Sequence, residues 1–531
     1  MKVMKTRARV VAVLTAAAVA SASSACTTEP DAVDVSGLDL IITDTSDPQT
    51  ALIPADSADV PGQTVINLLY SGLMYLDKDG NPHNDMAESV TQVDDTTYDV
   101  VIRDDAVFAD GSAVDAQDFV DTWNTAVRQS LLAAHNFEPI QGYNEGQDTM
   151  RGLKVTGEKT FRIKLSRPTA GFIERLGYSV FFPMRSEDQD KLSERGEDPI
   201  GNGPYQLASW EHDKSLIVVP NPKYDGPRTP RNEGIEFKVY RDVDKAYQDL
   251  LDDDLDVLTL IPDERRTTFQ DDLGERAVNQ PTSSILEITI PANDSNFRGE
   301  AGLLRRRALS MAIDREKITR DLFHGTATPA RGFSAPIGNT EPSRPQDTSF
   351  FEYHPDRARE LWAEAEKLDP FEGTFSVAYN NDGSHGPWVR SVTDQISATL
   401  GISAEPQPFD TFKELRHEVT ARHITGAFRT SWQAEFPDEI TFLSPLFASH
   451  SAANESGFSS SEYDELLQKA GEARTKDEER EYYSQAQDLL VEAMPAIPLW
   501  TPNAVGGYGT DIEPASFSWK PIPDYHNLQR K

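Results

Sequence analysis

The chain has 531 residues, of which 38% are hydrophobic and 26% charged. At about 150 residues per domain, that length suggests roughly three domains, and the apolar content supports a sizeable core, which excludes wholesale disorder. The net charge of −36, from 51 basic and 87 acidic residues, repels phosphate backbones and excludes nucleic acid as the main partner.

The N-terminus opens with Lys2, Lys5, Arg7 and Arg9. An uncharged run rich in Ala and Val follows from Val10 to Ala25. It is too short for an ordinary membrane-spanning helix and has the layout of a signal peptide over residues 1–25. Small residues Ser23, Ser24 and Ala25 lead to Cys26, the only cysteine. A lone cysteine excludes an internal disulfide, a four-thiolate zinc site and an iron–sulfur cluster within one chain. Its position resembles a bacterial lipobox, whose cysteine is lipidated and becomes the mature N-terminus. The alternative is an ordinary secreted protein cleaved near the same point. Residues 26–37 then form a lipidated start and a polar tether. No second apolar run approaches spanning length, so the mature body is expected to be soluble and held at the extracytoplasmic face of a membrane.

Strand and helix signals alternate along the rest of the chain, which argues for a mixed α/β fold. Leu38–Thr43 reads as a short buried strand. Tyr98, Val100 and Ile102 alternate as in a half-buried strand, and Phe161, Ile163 and Leu165 repeat the pattern. Ala116 to about Ser130 reads as a helix with Phe119, Trp123 and Val127 on one face. Leu304–Ile313 reads as another, followed by Asp314 and a turn-rich stretch to Phe323. Lys476–Met494 is a long amphipathic helix carrying Tyr483, Ala486, Leu490 and Met494 on one side, ended by Pro495 and Pro498. Breakers cluster at 200–204, 220–230 and 325–346, as at surface turns or lobe junctions.

Two metal-like patterns fail on geometry. Asp77, Asp79, Asn81, Asp85 and Glu88 follow calcium-loop spacing, but Pro82 stands where a sharply turning glycine is required. A hairpin turn at Asp79-Gly80 explains the same residues. His417 and His423 are six apart and fall on different helix faces, whereas a metalloprotease needs them four apart on one face. No nucleophile elbow, phosphate-cradling loop or clear dinucleotide fingerprint occurs, so no cofactor and no catalytic residue is expected.

Four stretches, in order, carry a resemblance. The first runs from Val65 to Trp123, with Asn67-Leu68-Leu69-Tyr70-Ser71-Gly72-Leu73, Asp79-Gly80, Met86-Ala87-Glu88-Ser89, Arg103 through Gly111, and Asp115-Ala116-Gln117-Asp118-Phe119. The second is Gly201-Asn202-Gly203-Pro204-Tyr205 with Trp210 and Asn221-Pro222-Lys223-Tyr224. The third is Arg307-Ala308-Leu309 with Ala312-Ile313-Asp314-Arg315. The fourth spans Trp432-Gln433-Ala434-Glu435-Phe436-Pro437-Asp438, Gly457-Phe458-Ser459, Tyr463-Asp464 and Ala496-Ile497-Pro498-Leu499-Trp500. Together they resemble solute-binding protein family 5, the oligopeptide-, dipeptide- and nickel-binding lipoproteins of ABC importers.

The resemblance implies a periplasmic-binding-protein-like fold of two lobes with an additional inserted domain and a cleft between the lobes. Lobe I would be discontinuous, from 38–70, 190–285 and 503–531. The inserted domain would cover 71–189, and lobe II 286–502. The implied function is a monomeric, non-enzymatic binding protein that captures peptides in the cleft and passes them to an ABC permease. Extended peptides would hydrogen-bond through their backbones to strands of both lobes.

On the same resemblance, Glu435 stands where family members place an aspartate that pairs with a peptide's α-amine. Arg429 matches a cleft arginine that receives the ligand's carboxylate, and Arg422 resembles a second basic element upstream. Trp432, Trp500 and Tyr205 are candidate cleft aromatics, although large aromatics are most often core. Asp314 and Arg315 are read as structural. Three other functions stay open: the same fold binding a metal complex, sugar or other solute, a secreted hydrolase, and a surface interaction protein without a cleft.

Overall fold

A computed structural model describes residues 34–531 apart from Ala58, Asn144, Asn339 and Arg474. The expected signal peptide, Cys26 and the expected tether as far as residue 33 lie outside the described residues.

The chain enters the main sheet on β1 (Ile41–Thr45). Sequence placed this strand at 38–43. It sits later because its partners do: β1 pairs in parallel from Ile41 opposite Ile235 to Thr45 opposite Val239. After the helix Val60–Leu69, the chain builds a separate unit. The hairpin of β2 (Met74–Leu76) and β3 (Pro82–Asn84) turns at Asp79-Gly80, where Gly80 has φ +86°. That left-handed backbone favours glycine. A four-stranded antiparallel sheet follows, from β4 (Ala87–Asp94), β5 (Thr97–Ile102), β6 (Leu153–Gly157) and β7 (Thr160–Lys164), in the order β4-β5-β7-β6. The alternation at 98–102 and 161–165 thus forms adjacent strands. The helix Ala116–Arg128 packs on them, with Trp123 edge-on to Phe119, Phe161 and Phe181.

The chain then returns with β8 (Tyr205–Glu211), β9 (Ser215–Pro220), β10 (Ile235–Val239), β11 (Val257–Leu258) and β12 (Ala277–Pro281). Gly201-Asn202-Gly203 makes this return possible. Asn202 bonds both the N–H and the C=O of Ser71, and a Cβ at Gly201 would stand 1.8 Å from Leu69 O. Only glycine fits so close an approach. Buried Arg228 completes the junction, donating to Tyr70 O, Asn67 O and Asp85.

The second half of the chain adds β13 (Ser284–Thr289), β14 (Ala327–Pro329), β15 (Phe375–Asn380), β16 (Ala404–Phe409), β17 (Ala427–Gln433) and β18 (Ala496–Tyr508). The stretch after Asp314 is not all turns. Asp314 accepts from Lys317 N at 2.9 Å and caps a helix, Arg315–Asp321. Capping of an orphan N–H outweighs the weak local periodicity there. Arg315 is buried and donates to the carbonyls of Pro498, Ser310 and Phe351. The helix Lys476–Ala493 buries Tyr483, Ala486 and Leu490.

The twelve main strands form one hydrogen-bonded path, β16-β15-β17-β13-β18-β11-β1-β10-β9-β8, with β12 and β14 also on β18. Two large apolar clusters sit along it, and a third fills the inserted unit. Of the two on the sheet, one surrounds Val65, Val218 and Phe237, and the other surrounds Leu309, Trp388 and Trp500. The third surrounds Trp123. Strand β18 joins the two on the sheet. Its residues 496–502 pair with β13 and β14, and its residues 503–508 pair with β12 and β11. The architecture is the two-lobed α/β fold with an inserted unit that the resemblance implied.

Candidate functional site

Strand β17 is only partly flanked by other strands. On one side, all of it from Phe428 to Gln433 pairs with β13. On the other, parallel pairing with β15 stops at Ala378 opposite Phe428. Among the described strands, none pairs with that side from Arg429 to Gln433. Ser431 and Gln433 are exposed there, and Thr430 and Trp432 are half-buried. Alternate residues of these five thus present unpaired backbone donors and acceptors on that side, which accepts an added strand.

Arg429 lies at the start of this edge. Its Nε donates to Asn380 Oδ1 at 2.7 Å, and its guanidinium lies 4.9 Å from the Phe412 ring centre. Burial lowers its pKa, against the pull of Asp382. Burial and Arg429 together push nearby His385 down to about 4, so that histidine is neutral at pH 7. Trp388 Nε1 donates to His385 Nδ1 at 3.2 Å.

Trp432 points to the opposite face of β17. It packs beside Ile285, Ala335, Ile337, Ala434, Phe442 and Trp519, a small cluster that also takes in Leu76 of the inserted unit. Its indole Nε1 is buried and has no hydrogen-bond partner.

Glu435 follows β17 and stands where three parts of the chain meet. Its Oε1 lies 3.6 Å from Nε2 of His135, a residue of the inserted unit. Arg175, also of that unit, stacks 4.4 Å over the Phe436 ring, and its Nε is buried without a partner. Lys520, from the C-terminal tail, lies 4.6 Å over Tyr178 and 5.0 Å over Trp519. Burial pushes the Glu435 carboxyl up, but His135, Arg175 and Lys520 outweigh it and hold it below the ordinary value. The contact with Glu435 raises His135. Burial pushes the Lys520 ammonium down to about 8.

The other candidates lie apart. Trp500 is 2% exposed and edge-on to Trp388 at 5.3 Å, inside the apolar cluster with Leu309. Tyr205 is 1% exposed in the apolar cluster with Val65 and Phe237, with its hydroxyl donating to Asn232 Oδ1 at 3.0 Å. Arg422 is an exposed residue in a left-handed turn with φ +58°. His135, Arg175 and Lys520 were not singled out from sequence. No local motif marks them, because each is conspicuous only beside Glu435.

A crevice of about 300 Å3 lies at the carboxyl ends of β1 and β10, lined by Asp44, Thr64, Tyr240, Thr259 and Pro521. The outlet of parallel strands is the usual ligand position in open α/β sheets. Burial raises Asp44 to about 6, although Thr259 donates to it twice.

Comparison with known proteins agrees with this architecture. The model of "bacterial extracellular solute-binding proteins, family 5 Middle" matches residues 81–454. The dipeptide-binding protein DppE of Bacillus subtilis is 24% identical over 461 residues, covering 83% of this chain and 82% of DppE. The glutathione-binding protein GsiB of Salmonella paratyphi A is 28% identical over 474 residues, covering 87% and 89%. The unliganded open form of the periplasmic murein tripeptide-binding protein MppA superposes with a TM-score of 0.80 at 22% identity, covering 94% of this chain and 99% of MppA. A structure of the Escherichia coli MppA gives 0.71 at 22% identity, covering 92% and 98%. The chain belongs to the bacterial extracellular solute-binding proteins, family 5.

Proposed function

We propose that this protein is the substrate-binding component of an ABC importer, that it binds short peptides between its lobes, and that it hands them to the permease without chemical change. The observation that carries this reading is the unpaired edge of β17 at Arg429–Gln433. A peptide backbone added there satisfies donors and acceptors on both partners and asks little of its side chains. DppE, GsiB and MppA carry names that describe dipeptide, glutathione and murein tripeptide binding, which fits a short peptide-like solute.

In this reading, lobe I comprises 38–70, 190–285 and 503–531, lobe II comprises 286–502, and 71–189 is the inserted domain. The lobes move about the two crossings at Pro281–Ser284 and Pro502–Asn503, where Thr282 N donates to Pro502 O at 3.0 Å. Ligand that touches both lobes favours the closed state, and the permease reads that closure. Arg429 and Trp432 border the bound chain, Arg422 lies farther out, and Glu435 meets one end. Trp500 and Tyr205 act from behind the wall, through the cores that shape it. Residues 1–25 are removed, and lipid on Cys26 holds the monomer at the extracytoplasmic membrane face.

The test is native mass spectrometry of the mature chain purified without added ligand, followed by mild denaturation and identification of what is released. Peptides of two to five residues establish the class. Release of a metal complex or sugar, with no thermal shift from a mixed peptide library, replaces peptide by that solute.

A further inference from the structure

The surroundings of Glu435 carry more positive than negative charge. His135, Arg175 and Lys520 face this single carboxylate from two other parts of the chain. Glu435 lies 3.6 Å from His135, and its one negative charge is shared with Arg175 and Lys520. Those two cations outnumber it. The acids nearest Arg175 are already engaged: Glu138 pairs with Arg167 at 3.5 Å, and Asp438 pairs with Lys476 at 3.2 Å and accepts from Tyr483 at 2.7 Å. Lys520 Nζ forms no ion pair among the described residues and rests on two aromatic rings. Two partly desolvated cations that share one carboxylate are costly, and an ammonium group brought between them adds repulsion.

We infer that the end of the ligand lying beyond Gln433 carries a carboxylate, received by Arg175 and Lys520, with Glu435 acting as the positioning residue that holds His135. This deepens the peptide-binding reading and rests on it. It reverses the charge expected of the ligand at Glu435. The guanidinium over Phe436 and the ammonium over Tyr178 and Trp519 set two cations against aromatic rings. In a chain of net charge −36, whose overall field repels anions, such a pair gives local selectivity for an acid. The carboxylate has two possible sources in a peptide, the C-terminus or an acidic side chain.

The test offers the mature chain three synthetic tripeptide sets: free acids without Asp or Glu, their C-terminal amides, and amides with Asp at the first position. Retained members are identified by native mass spectrometry and their affinities measured by calorimetry. Wild type is expected to prefer members that carry a carboxylate, by about tenfold or more. Lys520→Met removes that preference, and Lys520→Arg keeps it at an unchanged melting temperature. Retention of the free acids alone assigns the C-terminus, and retention of the Asp-bearing amides assigns a side chain. Neutral amides that bind as tightly as acids overturn the inference, as does a Lys520→Met variant that weakens both classes equally or neither. A co-purified non-peptide carboxylate that is lost in Lys520→Met sinks the peptide reading and supports the inference. A co-purified solute without an acidic group sinks the inference. A protein that takes up nothing from any set counts against both.

Discussion

Lys476 Nζ lies 2.7 Å from Glu174 Oε1, tying the helix Lys476–Ala493 to the short helix Phe172–Arg175. The same ammonium reaches Asp438 at 3.2 Å and Glu479 at 2.8 Å. One cation therefore serves three largely buried carboxylates, and removing it leaves them facing one another. Lys476 itself is 60% exposed, so solvent screens part of that repulsion. Lys476→Met is expected to cost about 1–2 kcal/mol in urea unfolding, below the value for a fully buried pair. An unchanged midpoint shows that this contact does not stabilise the structure.

Glu287 on β13 supplies a pH dependence. It is 1% exposed, lies opposite Thr430 and Pro498, and has one carboxyl oxygen without a partner. Burial raises its pKa from 4.5 to about 8. The folded state therefore keeps a proton that the unfolded chain releases near 4.5. Stability contributed by this group is full below that value and falls as pH rises through about 8. The loss across the window is of the order of 3–5 kcal/mol. Glu287→Gln is expected to flatten the decline in melting temperature between pH 5 and pH 8. Burial raises Glu479 to about 8 as well, with the same sign, so a residual slope is assigned by adding Glu479→Gln.

The free edge of β17 makes its own prediction. A peptide that pairs with Arg429–Gln433 donates backbone N–H groups to that strand. Methylating one such nitrogen removes a hydrogen bond worth about 1 kcal/mol, or about fivefold in affinity. Calorimetry on single N-methyl variants of a bound peptide is expected to show losses at alternate positions. Uniform tolerance of N-methylation excludes strand addition.

Tyr205 and Trp500 are expected to affect stability and not affinity. Tyr205→Phe removes the hydroxyl that donates to Asn232 and Tyr525 O, at about 1 kcal/mol. Trp500→Ala leaves a cavity against Trp388 and Phe323, at about 3–5 kcal/mol. A changed Kd for Tyr205→Phe with an unchanged unfolding midpoint reverses that assignment.

Family, fold class and many elements were legible in the sequence because they are written in short-range patterns. Period-2 alternation at 98–102 and 161–165 marks strands whatever their neighbours, and the stripe from Tyr483 to Leu490 marks one buried helix face. Gly201-Asn202-Gly203 is visible because a backbone approach of that closeness admits no other residue. The helix after Asp314 was missed, since a single capping carboxylate decides it and periodicity over seven residues is weak.

The charge environment of Glu435 belongs to tertiary structure alone. Its neighbours come from positions 135, 175 and 520, each on a different segment, and none stands in a local motif. The resemblance singles out Glu435, which follows β17. Whether it meets an ammonium or a cluster of bases depends on which distant segments fold against it. The same holds for Tyr205 and Trp500, because an aromatic ring has the same composition on a cleft wall as in a core. Local pattern determined the elements and their order, because backbone hydrogen bonding and side-chain period act over a few residues. Packing between segments hundreds of residues apart decided which charges share a site, because electrostatics and burial depend on distance in space.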